Sequence, residues 1–140
     1  MGIKGLVLGL GLLVLSGQAY AADNEYSPYA AGFKNFLTCE LTRTDAVDHF
    51  KGKTFTITMI NANDVRRESG ITIITGAVQC FVQNKYTTLH AAVGVEKIAG
   101  KEKISYYTIR KQNFFILASE LMRFQYKERC PWTRYWVDLD

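Results

Sequence analysis

Lys53-Thr54-Phe55-Thr56-Ile57-Thr58-Met59 alternates threonine with larger apolar residues. A period of two, rich in β-branched residues, predicts a half-buried strand with Phe55, Ile57 and Met59 on one face. The segment before it has a different rhythm. Ser27-Pro28 offers an N-cap oxygen and a proline suited to the first helical position. Tyr29, Phe33, Phe36, Leu37 and Leu41 follow at the spacing of an amphipathic helix. Gly32 costs that helix up to about 1 kcal/mol against alanine. A rival reading starts a strand at Phe36, with Leu37, Cys39 and Leu41 on one face. Between the two segments, Thr44-Asp45-Ala46-Val47-Asp48 reads as a short capped turn of helix.

C-terminal to Met59, Asn61 to Ser69 reads as a polar loop. Gly70 opens a second run, with Ile71 and Ile73 on one face and Val78, Cys80 and Val82 on the other. Its change of phase at Thr75-Gly76 predicts a bulge or bend. After a turn candidate at Asn84-Lys85, Leu89, Ala91, Val93 and Val95 make a third strand. Ala99-Gly100-Lys101 then turns the chain into Ile104, Tyr106 and Thr108, which closes a hairpin. Phe114 to Met122 fits either a strand (Phe114, Ile116, Ala118) or a helix (Phe114, Leu117, Leu121). Phe124 and Tyr126 alternate with polar neighbours as a strand would, and Tyr135-Trp136-Val137 suits a last short one. The order is a helix followed by a meander. It predicts an α+β fold, with an N-terminal helix packed on an antiparallel sheet of about four to six strands in a single small domain.

The first 21 residues stand apart from that domain. Lys4 precedes an unbroken apolar run from Gly5 to Val14, and Ala19-Tyr20-Ala21 has the small-residue pattern of a cleavage site. This is the pattern of a Sec-type secretory signal peptide cut after Ala21. A membrane span needs about 20 apolar residues, and no later window approaches that. The expected mature domain is therefore residues 22–140, exported to the periplasm or secreted. Without Lys4, the 17 Lys and Arg become 16 against 13 Asp and Glu. A surplus of about +3 is too mild to demand a polyanion, so nucleic acid is an unlikely partner. No Asn-x-Ser/Thr sequon occurs, and a Gram-negative envelope is the favoured setting.

Export makes a disulfide the expected state for two of the three cysteines, Cys39, Cys80 and Cys130. Cys80 sits mid-strand, where a buried thiol behaves as a small apolar side chain. Pairing Cys39 with Cys130 would close a loop of about 90 residues, worth several kcal/mol in the chain-entropy model. Cys39 and Cys130 are the favoured pair; the other pairings, and a thiol shared with another chain, stay open. No C-x-x-C argues for redox or zinc chemistry. Asp45 and His49 could share a helix face, but two ligands make no metal site, and His90 reads as a sheet residue beside Tyr86 and Thr88. Glycine-rich phosphate loops, a G-x-S-x-G elbow and a glycosidase-like acid pair are all missing from the sequence. No cofactor, metal or catalytic residue is expected, and the chain reads as a non-enzyme.

The remaining signal is aromatic and basic. Lys97, Lys101, Lys103, Arg110 and Lys111 accompany Tyr106 and Tyr107. Arg123, Lys127, Arg129 and Arg134 accompany Phe124, Tyr126, Trp132, Tyr135 and Trp136. Protein-binding surfaces concentrate aromatics and arginines. The expected partner-binding residues are Arg123, Tyr126, Arg129, Trp132 and Trp136. The expected function is binding another macromolecule, such as a neighbouring subunit of a secretion or pilus assembly. An inhibitor or immunity protein against an envelope-acting toxin or hydrolase is the alternative, and a small lipid or ligand carrier a further one. Oligomeric state cannot be read from the sequence.

Overall fold

Four strands run β1 Phe55–Glu68, β2 Ile71–Val82, β3 Lys85–Ile98 and β4 Lys101–Arg110, preceded by helix α1 Tyr20–Leu41 and followed by the one-turn helix α2 Ala118–Leu121. This computed structural model describes residues 20–43 and 52–133; the expected turn at Asp45 to Asp48, His49 and the expected strand at Tyr135 to Val137 lie outside them. The sheet is antiparallel in the order β1-β2-β3-β4, a meander. With α1 packed on it, the molecule is a single small α+β domain.

Tight turns make the meander. Ser69-Gly70, Gln83-Asn84 and Ala99-Gly100 each carry two successive residues at positive φ, between 52° and 81°. That is the type I′ pattern, whose twist suits a two-residue hairpin. The middle turn falls one residue earlier than the sequence suggested.

α1 buries Tyr29, Phe33, Phe36, Leu37 and Leu41, the stripe its spacing predicts. The rival strand from Phe36 is therefore ruled out. The helix also begins earlier than Ser27 and carries Pro28 inside it. Ala21, Ala22 and the early acids Asp23 and Glu25 favour helix ahead of the proline, and the proline removes only one backbone donor. Two glycines, Gly32 within α1 and Gly76 on the sheet beneath it, are explained by close approach. A Cβ on Gly32 would stand 2.5 Å from the Trp132 ring, and one on Gly76 would collide with Asn61 O and meet Phe33 at 2.6 Å. Gly76 therefore makes room for the helix. The expected irregularity at Thr75-Gly76 lies not in β2 itself, whose ladder with β3 is unbroken, but in the β1 partner, which carries an extra residue opposite Gly76 and Thr75.

The bulges lie in the strands flanking the central pair. β1 runs straight through the expected polar loop at Asn61–Glu68. Its register with β2 slips between Ile57 and Met59 and again between Ala62 and Asp64. Each extra residue turns the strand over, so Ile60, Ala62 and Val65 point at the core while Met59 is exposed. β4 slips opposite Gly94/Val95, leaving Ser105 unpaired. Ile104 therefore shares the α1 face with Tyr107, whereas Tyr106 lies on the opposite face. The expected hairpin is thus present, with Ile104 and Tyr106 turned to opposite faces by that extra residue.

The two apolar sets of β2 are both buried because both sheet faces are covered there. Ile74, Val78, Cys80 and Val82 lie under α1. Ile71 and Ile73 lie under a strap, residues 111–122, that crosses the other face and plants Ile116, Ala118 and Leu121 beside Ala92. The ambiguous Phe114–Met122 segment is thus an extended run ending in the single turn α2. The chain then rounds the β4 edge. Tyr107 N–H donates to Phe124 O at 3.0 Å and Tyr126 N–H to Ser105 O at 2.9 Å, around an isolated Tyr106–Gln125 bridge. Only this short contact remains of the expected strand at Phe124 to Tyr126.

Candidate functional site

Of the five residues expected to form one binding face, the four described ones, Arg123, Tyr126, Arg129 and Trp132, are divided by the fold. Residues 123–133 form a C-terminal leg that returns to the α1 side, where Cys130 is bonded to Cys39 and Cys80 is a buried free thiol. Trp132 is only 9% exposed. Its ring stacks on Tyr29 with centroids 6.3 Å apart, and its indole N–H donates to Glu102 Oε1 at 3.3 Å. An indole held this way is a packing element of the helix face.

Tyr126 and Arg129 are committed to Glu40, which is 2% exposed. Tyr126 O–H donates to Glu40 Oε1 at 2.7 Å and accepts from Cys130 N–H at 3.0 Å. The Arg129 guanidinium meets Glu40 Oε2 at 2.6 Å and lies 4.7 Å from the Tyr126 ring centroid. A buried carboxylate needs such partners, because leaving one uncompensated costs several kcal/mol. Burial raises the Tyr126 phenol above its ordinary pKa, and its hydrogen bond to Glu40 raises it further. Beside it, burial pushes the Tyr107 phenol strongly upward, and the Glu40 charge adds to this. Among the described residues, the Tyr107 hydroxyl is buried with no hydrogen-bond partner. Burial likewise raises the Cys80 thiol, which argues against a reactive thiolate there.

Arg123 takes the other direction. It lies exposed beside Phe124, and among the described residues its side chain has no ionic partner. Trp136 falls outside the described residues.

Arg123 joins a surface that the sequence reading did not select. Phe115 is 71% exposed and Leu117 50%, with Met122 and Phe124 also open to solvent. Phe114-Phe115-Ile116-Leu117 is extended, so alternate residues point oppositely: Ile116 turns inward, and Phe115 and Leu117 turn outward. Four consecutive apolar residues were the available signal, since no half-buried strand can hide all of them. Arginines from the sheet frame the strap. Arg66 lies 4.6 Å from the Phe115 ring centroid and donates to Ile116 O, and Arg110 lies 4.3 Å from Phe114 and 5.6 Å from Phe124. Glu68 accepts the Ala118 N–H at 3.0 Å, while Arg110 and Glu120 approach at 3.6 Å. The strap is thus fixed from beneath while its outer side chains stay bare.

Other features carry less chemistry. A shallow depression of about 320 Å³ lies where the β4 edge meets Gln125, Tyr126 and Glu128. Among the described residues, no group of three or more His, Cys, Asp or Glu could hold a metal ion, and no helix is long and apolar enough to cross a membrane. Compared with family models, curated proteins and solved structures, the chain matches none.

Proposed function

We propose that this is an exported, non-catalytic protein that binds another protein through its strap. The observation that carries the reading is the outward set Phe115, Leu117, Met122 and Phe124, framed by Arg66, Arg110 and Arg123. Large apolar side chains on a pinned segment have little backbone entropy left to lose on binding. Arg123, which has no ionic partner among the described residues, offers a carboxylate site at the rim, while Arg66 and Arg110 lie beside the chain's own acids. The partner chemistry that fits is an apolar groove bordered by acids. The leader-like residues 1–21 and the Cys39–Cys130 bond support an extracytoplasmic setting. A subunit of an envelope secretion or pilus assembly uses such a surface, and so does an inhibitor or immunity protein.

Affinity capture from the envelope fraction tests the reading. The natural chain should retain one dominant partner, and the double change Phe115→Ser with Leu117→Ser should reduce capture at least about tenfold, one hot-spot contact's worth. Its melting temperature should fall by no more than a few degrees, because both side chains largely face water and the Arg66–Phe115 contact is what is lost. Undiminished capture by that variant removes the strap from consideration. Loss of a captured hydrolase's activity would select the inhibitor setting over the assembly one.

A further inference from the structure

Two side chains of β1 hold the strap as a neighbouring strand would. The Arg66 guanidinium donates to Ile116 O, and the Glu68 carboxylate accepts the Ala118 N–H. In an extended chain, the C=O of one residue and the N–H two residues on point to the same edge, where a partner strand pairs. Arg66 and Glu68 therefore occupy the edge of the even-numbered residues. The opposite edge carries the N–H and C=O of Phe115 and the N–H of Leu117. Among the described residues none of these three has a hydrogen-bond partner, whereas Leu117 O is taken by the first turn of α2. Exposure alternates along the same run. Asn113, Phe115 and Leu117 are open, while Phe114, Ile116 and Ala118 pack toward the sheet. Leu117 itself has φ −84° and ψ 158°, within the range of strand backbone.

We propose, resting on the reading that the strap binds a protein, that it binds as a strand: the partner lays the edge of one of its own strands along Phe115 and Leu117. A row of unpaired main-chain groups held in extended form is a template for strand pairing. Water can solvate such groups in any loop. Yet a solvated loop is ordinarily polar and loosely held, whereas this run is anchored by Arg66, Glu68 and the buried Ile116, and it turns two large apolar side chains outward. The anchoring removes in advance much of the ordering cost that a free peptide would meet on pairing. Main-chain bonds would supply affinity, and Phe115 and Leu117, about 7 Å apart on one face, would supply selectivity. The partner strand therefore borders an apolar groove with room for two side chains. Arg123, exposed two residues beyond α2 and without an ionic partner among the described residues, adds a preference for an acid beside that groove.

Replacing Phe115 by its α-hydroxy counterpart turns one amide into an ester, which deletes the N–H and leaves the ring in place. The full chain carrying this ester should keep its circular dichroism and melting temperature, since that N–H has no partner to lose. Its capture of the protein that the natural chain retains from the envelope fraction should drop about fivefold, the worth of one hydrogen bond. Amide exchange on the natural chain gives a second measurement. In the purified complex, the Phe115 and Leu117 protons should exchange at least ~tenfold more slowly than in the free protein. An ester chain captured as well as the natural one overturns strand pairing. So do Phe115 and Leu117 protons that exchange in the complex as they do alone. If Phe115→Ser with Leu117→Ser still loses capture in those cases, the strap binds through side chains only, and the function proposed for it survives. A natural chain that retains nothing, or a serine variant that retains the same protein undiminished, removes that function and strand pairing together.

Discussion

One face of the sheet lies under a 22-residue helix, a disulfide and a buried carboxylate with two partners, while the other, among the described residues, lies under a twelve-residue strap over only part of its extent. The helix face is closed by large side chains in continuous contact from Tyr29 to Trp132, and a bond across 91 residues holds its outermost layer in place. The strap face has a core of six buried residues and is pinned by side chains of the sheet. The difference shows how labour is divided in a small domain. Stability concentrates where apolar area is largest, and exposed apolar groups are tolerated on the side whose loss would not unfold the rest.

The sharpest way to break the comparison is to delete one anchor on each side. Phe36→Ala should cost about 3 to 5 kcal/mol and speed amide exchange throughout the sheet, because the Phe36 ring packs on both Tyr107 and Tyr126. Leu121→Ala should cost about 2 to 3 kcal/mol, and its faster exchange should be confined to residues 111–122. Equal spread of exchange in both variants would show that the two faces unfold as one unit. Next in size is the covalent tie. Replacing Cys39 and Cys130 by alanine should lower stability by about 3 to 4 kcal/mol in urea titrations. Thiol titration of the unfolded natural chain should find one free thiol, that of Cys80, and three would refute the bond.

The smallest expected effect is a gain. Tyr107→Phe removes a buried hydroxyl that has no partner among the described residues, and should raise stability by about 1 kcal/mol at neutral pH. The pH dependence follows from the upward shifts of Tyr107 and Tyr126. A phenol that binds its proton more tightly when folded contributes stability fully below its unfolded pKa near 10, and that contribution is lost as pH rises beyond it. The natural chain should weaken in alkali, and Tyr107→Phe should weaken less steeply. Unfolding midpoints measured at neutral pH and at about pH 11 check both, and parallel losses would exclude Tyr107 as a source.

Periodicity made the helix stripe and the central strands legible, because Phe33, Phe36 and Leu37, or Leu89, Ala91 and Val93, each serve one face without interruption. What escaped was every place where one extra residue reverses the faces. Thr58, Asn63 and Ser105 are ordinary polar residues, and a bulge leaves no compositional mark on them. Hence the alternation alone places Met59 inward and gives the β1 segment after it the look of a loop. Gly32 and Gly76 were noticed as irregularities, but each answers a ring from a distant part of the chain, which no local window contains. The same limit applies to the aromatic–basic tail. Tyr126, Arg129 and Trp132 look like a surface until Glu40 and Tyr29, nearly a hundred residues earlier, take them up. Arg123 and Phe124 stay exposed, as a surface reading requires, and they adjoin Phe115 and Leu117, which the aromatic–basic pattern does not include.

The Cys39–Cys130 bond also bears on how the chain meets proteases. All four strands, their three turns and the strap lie between the two bonded sulfurs. A single cut at the Gln83-Asn84 turn, or anywhere else inside that span, leaves two pieces still joined through sulfur. In an oxidising compartment, one clip therefore releases no fragment, and the wound chain keeps the means to hold its sheet together.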